Sequence, residues 1–203
     1  LFERFWYGDE GIYSTIAKGL HDGKTLYINI WDHKPPLLNW IYYIGAFFNH
    51  DLGFFLMRLL NLISGFIATI LLLKILKKVG FKNAITFLVL ILFALFFGST
   101  IIEGNQANAE NFFITFNLAL LYQLITNKFN VLTGILFFLS FMIKPQSFLE
   151  SSMIVFLFLI ISFKDWRKKE FILRLVKIFS GFLVPLFIYT LTLVSQGALL
   201  QFL

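Results

Sequence analysis

Six apolar runs dominate the 203-residue sequence and constrain its fold more than any other feature. They occupy residues 53–73, 84–102, 112–126, 131–143, 147–163 and 178–195. A helix needs about 20 apolar residues to cross the hydrocarbon core, and bulky Phe and Leu side chains offset the shortness of several runs. Hydrophobic residues make up 59% of the chain, more than one soluble core of this size could bury. We therefore expect an all-α integral membrane protein, a polytopic helix bundle with about six spans over 53–203.

Charges in the loops between these runs predict the orientation. Loop 74–83 carries four lysines and no acid, and loop 164–177 carries six basic and two acidic residues. Lys and Arg are enriched in cytoplasmic loops, so we expect both loops inside. This arrangement requires 36–48 to lie flat on the outer surface, as its short length and its aromatic side chains favour. The predicted outer segments are 1–52, 103–111 and 144–151.

The same charge distribution bears on partners. A net charge of +6 and a pI near 9.5 suit nucleic-acid binding in a soluble protein. Here the basic residues follow the membrane orientation instead, so we expect membrane lipids as partners and no nucleic acid. The chain has no Cys, which excludes disulfides and thiolate metal sites.

The predicted outer segment 1–52 is the most polar part of the chain. Residues 10–21 place an apolar stripe on one helical face, and 25–31 alternate as a short strand would. Pro35 and Pro36 then favour a helix that begins at Leu37. We expect an outer-face loop with juxtamembrane helices. The chain opens at Leu1 without a leading apolar segment, and we interpret it as a fragment that lacks a preceding helix and a C-terminal part.

Two neighbouring carboxylates, Asp9 and Glu10, precede the first amphipathic helix. One interpretation is helix capping, because acids are favourable in the first turn. The other is a general base, since a carboxylate near apolar surface can have a pKa raised toward the working range. Adjacent side chains on a helix cannot both face one substrate atom, so we expect divided roles.

A second cluster of ionisable residues comprises Asp32, His33 and Lys34. Lys34 could hold a phosphate as a point charge or extend toward lipid phosphates. His33 could ligate a divalent metal or form a hydrogen bond, and a single His beside a single Asp leaves the metal open.

Two further candidates are substrate-binding residues nearer the middle of the chain. Glu110 begins the 112–126 helix, where an acid is common. Lys144 lies at the outer end of a helix that Pro145 terminates, and an ionisable group at such a position is a candidate for function.

The motifs of these segments together resemble a known family. They are Gly-Asp-Glu-Gly-Ile-Tyr from Gly8, Asp-His-Lys-Pro-Pro-Leu-Leu from Asp32, Glu-Gly-Asn-Gln-Ala-Asn-Ala-Glu-Asn from Glu103, and the segment from Gly134 to Gln146 that ends in Lys-Pro-Gln. This order is similar to that of GT-C-type membrane glycosyltransferases of the GT39/PMT-like family, relatives of protein O-mannosyltransferases and lipid A aminoarabinose transferases.

The resemblance implies transfer of a sugar from a polyprenyl-phosphate donor to a glycan, lipid or protein acceptor on the outer face of the cell (inner) membrane. It makes 1–52 the outer-face catalytic loop, assigns the catalytic base to Asp9, with Glu10 adjacent, and places Lys34 with the donor phosphate. Some relatives bind metal through a glutamate at the position of His33, so the different residue leaves metal binding open. The alternative is a transporter or lipid-handling protein without transferase activity, which would need polar residues deep inside the bundle.

Overall fold

The computed structural model describes residues 8–101, 103–163 and 167–202. Within these residues the chain forms nine helices and no strand. They are α1 (Gly8–His21), α2 (Leu37–Ala46), α3 (His50–Val79), α4 (Asn83–Phe97), α5 (Ala109–Thr126), α6 (Val131–Ile143), α7 (Pro145–Ser162), α8 (Lys169–Ser195) and α9 (Leu199–Phe202). The all-α prediction is therefore confirmed. Two predicted pieces, the start of segment 1–52 and residues 164–166 of the second basic loop, lie outside the described residues.

Three helices are long and apolar enough to cross a membrane by length and composition, namely α3, α7 and α8. Of the other predicted spans, α4 and α6 are apolar but only 15 and 13 residues long. Helix α5 has 18 residues and carries polar side chains at Asn111, Asn117 and Gln123. The chain is thus a membrane-type helical protein with three candidate spans, and six crossings remain a prediction.

Small and polar residues hold the long helices together. Gly134 of α6 and Gly181 of α8 bring the two backbones into direct contact, because a side chain at either position would meet the opposite main chain. Between α3 and α5, the Ser64 and Thr115 hydroxyls lie 2.7 Å apart. Close backbone approach and interhelical hydrogen bonds drive helix association in lipid, where the hydrophobic effect contributes little.

Helices α1 and α2 pack together at one end of this bundle. Tyr13 and Tyr42 are buried, with ring centroids 5.4 Å apart, and they join Met57 of α3 in one apolar core. Ten residues of α2 span only about 15 Å, at 1.5 Å per residue. This length agrees with the expectation that 36–48 does not cross the membrane.

The predicted strand-like piece 25–31 is wrong. The Tyr27 N–H donates to the Ile30 carbonyl at 2.6 Å, and the Thr25 carbonyl accepts from Ile28, Asn29 and Ile30. Tyr27 has a φ of 69°, a left-handed conformation that reverses the chain. No neighbouring strand is present among the described residues, so the backbone groups are satisfied locally by turns.

Candidate active site

The first turn of α1 sends its two acids in different directions. Successive residues on a helix are about 100° apart. The Asp9 side chain is 51% exposed, whereas the Glu10 side chain is 0% exposed. The predicted division of roles therefore has a structural basis.

Asp9 meets a lysine and a tyrosine. The Lys34 Nζ lies 3.3 Å from Asp9 Oδ2, and the Tyr13 hydroxyl donates to the same oxygen at 3.2 Å. Lys34 Nζ also donates to the Tyr13 hydroxyl and lies 4.7 Å from the centre of its ring. The Lys34 side chain is only 11% exposed, so its ammonium is held in place.

These contacts set the protonation of Asp9. Partial burial alone would raise the pKa of its carboxyl, but the Lys34 charge and the hydrogen bonds from Lys34 and Tyr13 hold this pKa below its usual value. Burial and the nearby Asp9 charge raise the pKa of Tyr13 well above its usual range. At neutral pH the site therefore contains an ionised carboxylate and a protonated phenol.

Asp32 holds the backbone of the turn that positions the Lys34 side chain next to Asp9. One carboxylate oxygen accepts the Lys34 backbone N–H at 3.2 Å, and the other accepts the Asn39 side-chain amide at 2.8 Å. The Tyr27 hydroxyl donates to the Lys34 carbonyl at 2.9 Å. Asp32 is buried, so the structure places it as a support of Lys34 and not on an open substrate surface.

His33 lies on the outside of this turn. Its side chain is 68% exposed, and Nδ1 is 3.5 Å from the Asp32 carboxylate. Both Asp32 oxygens already accept hydrogen bonds, and no group of three or more acidic or His side chains that could hold a metal occurs among the described residues. The described residues around His33 therefore supply no set of three metal ligands.

Lys144 and Glu110 form a second acid–lysine pair. Lys144 occupies the extended joint between α6 and α7, and its ammonium contacts the Glu110 carboxylate in the first turn of α5. The Lys144 charge contributes to the lowered pKa of Asp9, and the Glu110 charge contributes to the raised pKa of Tyr13. The two pairs thus lie within electrostatic reach of each other. We call Asp9, Tyr13, Lys34, Glu110 and Lys144 the acid–lysine site.

Glu10 belongs to the packing of the bundle instead. Its Oε2 lies 2.6 Å from Arg58 Nη2, and its Oε1 accepts the Ala107 backbone N–H at 2.7 Å. Arg58 also donates to the Asn105 carbonyl. Because Glu10 is fully buried in this pair, it is not positioned for a catalytic role, and the sequence-based assignment of Glu10 to the catalytic pair is corrected accordingly.

Two residues of this region were not singled out from the sequence. Tyr13 lies four residues after Asp9, on the same helical face, and this spacing could have identified it. Arg58 is an isolated cation near the start of an apolar run, a position that suggests a buried acidic partner. Its partner Glu10 is 48 residues away along the chain, and no local pattern predicts that distance.

Comparisons of this chain with models of known protein families, with curated proteins and with solved structures found no match. The functional interpretation therefore depends on the geometry of the site and on the motifs of the sequence.

Proposed function

We propose that this protein is a membrane glycosyltransferase of GT-C type that transfers a sugar from a polyprenyl-phosphate donor to an acceptor hydroxyl. The observation that carries the proposal is the ionised Asp9 held by Lys34 and Tyr13, with Lys144 in electrostatic reach. A half-exposed carboxylate in contact with one ammonium group, and within the electrostatic influence of a second, offers a base and an anion site.

The two lysines supply the anion site. A lipid-linked sugar places its phosphate at headgroup depth, and positive charge there stabilises the phosphate that leaves. Lys34 and Lys144 each contact a carboxylate that is 51% exposed. Water screens an exposed carboxylate and weakens its ion pair, so a phosphate can replace Asp9 and Glu110 as the partner of the two ammonium groups.

Donor binding then prepares Asp9 for proton transfer. When the phosphate becomes the partner of Lys34, the main cause that lowers the pKa of Asp9 is removed, while the effect of partial burial remains. The pKa of Asp9 therefore rises. The carboxylate becomes a stronger base only when the donor is present.

The transfer step follows from this arrangement. The acceptor oxygen forms a bond to the anomeric carbon as the bond from that carbon to the phosphate oxygen breaks. Asp9 accepts the proton of the acceptor hydroxyl, and polyprenyl phosphate leaves as an anion. The transition state resembles the oxocarbenium ion of glycosidases. No separate acid is required because phosphate is already a stable leaving group.

We place the site on the outer face of the cell membrane. This placement depends on the basic loop 74–83 lying inside, at the end of α3 opposite to α1 and α2. The donor and the acceptor, a glycan, lipid or protein, would meet the protein at that surface.

The polar groups between the helices favour a transferase over the transporter alternative. Asn117 of α5 accepts hydrogen bonds from Ser140 and Ser151, each at 2.7 Å, and donates to Glu150 at 2.8 Å. These groups are satisfied by one another and join three helices. The buried amide and hydroxyls of this network serve helix packing, whereas a transport pathway places its polar groups along an open cavity; Glu150, the ionisable member, is exposed.

The test is reconstitution of the protein in proteoliposomes with radiolabelled polyprenyl-phosphate sugars and a panel of acceptors, with loss of label from the donor as the readout. We expect donor consumption by the wild-type protein. Intact donor in every preparation, while a known transferase turns over in parallel, would refute the proposal.

A further inference from the structure

A groove between α3 and α4 lies apart from the acid–lysine site. It encloses about 440 Å³, within the range of cavities that bind small organic ligands. Its lining is partly apolar and partly polar. The apolar side chains that line it include Leu62, Phe66 and Phe97, and the polar ones include Arg58, Asn61 and Asn105.

The shape of the groove depends on Gly65. A side chain at this position would meet the Phe97 ring, so the glycine lets Phe97 lie directly against α3. Leu62 and Phe66, one turn apart on α3, are 52% and 67% exposed. These open apolar walls suit a lipid chain that enters from the bilayer.

Two amide oxygens on the polar side lack partners. The Oδ1 atoms of Asn61 and Asn105 are buried and accept no hydrogen bond from any residue that the structure describes. Asn61 is only 4% exposed, and its Nδ2 already faces the Gly104 carbonyl at 3.4 Å. A buried acceptor without a donor is unfavourable, so a ligand that donates a hydrogen bond would be favoured here.

The charge of the groove limits the chemistry of the ligand that it can bind. The Arg58 guanidinium lines the groove. The Glu10 carboxylate, 2.6 Å away, neutralises its charge. The groove therefore offers two carbonyl acceptors and little net charge. This combination favours a hydroxyl donor over a phosphate.

We infer that the α3–α4 groove binds one chain of a neutral membrane glycerolipid whose free hydroxyl donates to Asn61, as in diacylglycerol. The apolar walls bind the acyl chain, the Asn61 amide oxygen accepts the hydrogen bond of the hydroxyl, and the second chain remains in the bilayer. No residue of the acid–lysine site lines this groove, so the inference does not depend on sugar transfer.

The experiment uses two photoactivatable lipids in phosphatidylcholine nanodiscs that contain the protein. One is a diacylglycerol with the photoreactive group in an acyl chain, and the other is its O-methyl ether, which cannot donate. We expect the diacylglycerol to label peptides of α3 and α4 about three- to ten-fold more than the ether does, as one neutral hydrogen bond allows.

Three variants make the test specific. Asn61→Leu removes the acceptor and should bring the two lipids to equal labelling. Leu62→Trp fills the groove and should reduce labelling by both lipids, whereas Leu88→Trp places the same ring on an exposed part of α4 that does not line the groove and should change neither. Equal labelling of the wild-type protein by the two lipids, or a hydroxyl preference that Asn61→Leu retains, would overturn the inference.

Discussion

The buried pair of Glu10 and Arg58 gives the sharpest prediction about stability. The two side chains are 0% and 3% exposed, so neither charge is screened by water. Replacing either residue alone by Met leaves the charge of the other residue buried without this neutralising partner. Such a change typically costs about 3–5 kcal/mol of unfolding free energy. At roughly 2–4 °C per kcal/mol for a chain of this size, the melting temperature should fall by about 6–20 °C.

The double variant Glu10→Met with Arg58→Met distinguishes this mechanism from simple loss of packing. It removes both charges and fills the site with apolar side chains, so it should be more stable than either single variant. The control is Glu110→Gln, because the Glu110 carboxylate is 51% exposed and its pair should contribute less than about 1 kcal/mol.

The assay is thermal unfolding in detergent, followed by tryptophan fluorescence and circular dichroism. Single variants that melt within about 2 °C of the wild type, on the same scale of temperature per unit free energy, would refute the reasoning. A double variant less stable than both single variants would also contradict this reasoning. It would show that the pair stabilises the fold by more than mutual neutralisation of two buried charges.

Three further predictions concern the acid–lysine site and the orientation. Tyr13→Phe removes a hydrogen bond to ionised Asp9 and should lower transfer about 10–100-fold in kcat/KM; an unchanged rate and pH profile would show that Tyr13 only fills space. Lys34→Gln removes the main cause that lowers the pKa of Asp9, so the base is protonated at a higher pH. The acid limb of the kcat/KM profile should therefore move to higher pH, and donor binding should weaken. An acid limb at its wild-type pH would contradict this prediction. In the Cys-free chain, an impermeant thiol reagent should label Asp22→Cys in intact cells and should not label Lys78→Cys, and the reverse pattern would invert the proposed orientation.

The sequence predicts the local part of this fold well. The apolar stripe at Ile12, Ile16 and Leu20 indicates the first helix, and Pro36 marks the start of the next one. These features depend on residues within one or two turns of each other. The alternation in 25–31 misled because it indicates a strand only when a second strand is available for pairing, and the chain supplies none among the described residues.

The candidate site was only partly predictable, because its residues come together through contacts between distant parts of the chain. Asp9, Lys34, Glu110 and Lys144 stand out as charges in an apolar chain. Their pairing depends on the turn before α2 and on the joint between α6 and α7, which bring together residues 25 and 34 positions apart. The separation of Asp9 from Glu10 follows from helical geometry, but which one faces the open site depends on where α3 places Arg58.

The most direct test of the proposed mechanism is single-turnover sugar transfer by Asp9→Asn, compared with Asp51→Asn. Asp51 lies in the first turn of α3, at the same end of the bundle, and its side chain is 93% exposed. Both variants should fold and bind the donor, and Asp9→Asn should lose about 10²–10⁴ in rate, the usual contribution of a positioned base, while Asp51→Asn stays near the wild-type rate. Transfer by Asp9→Asn at the wild-type rate would contradict the assignment of Asp9 as the base.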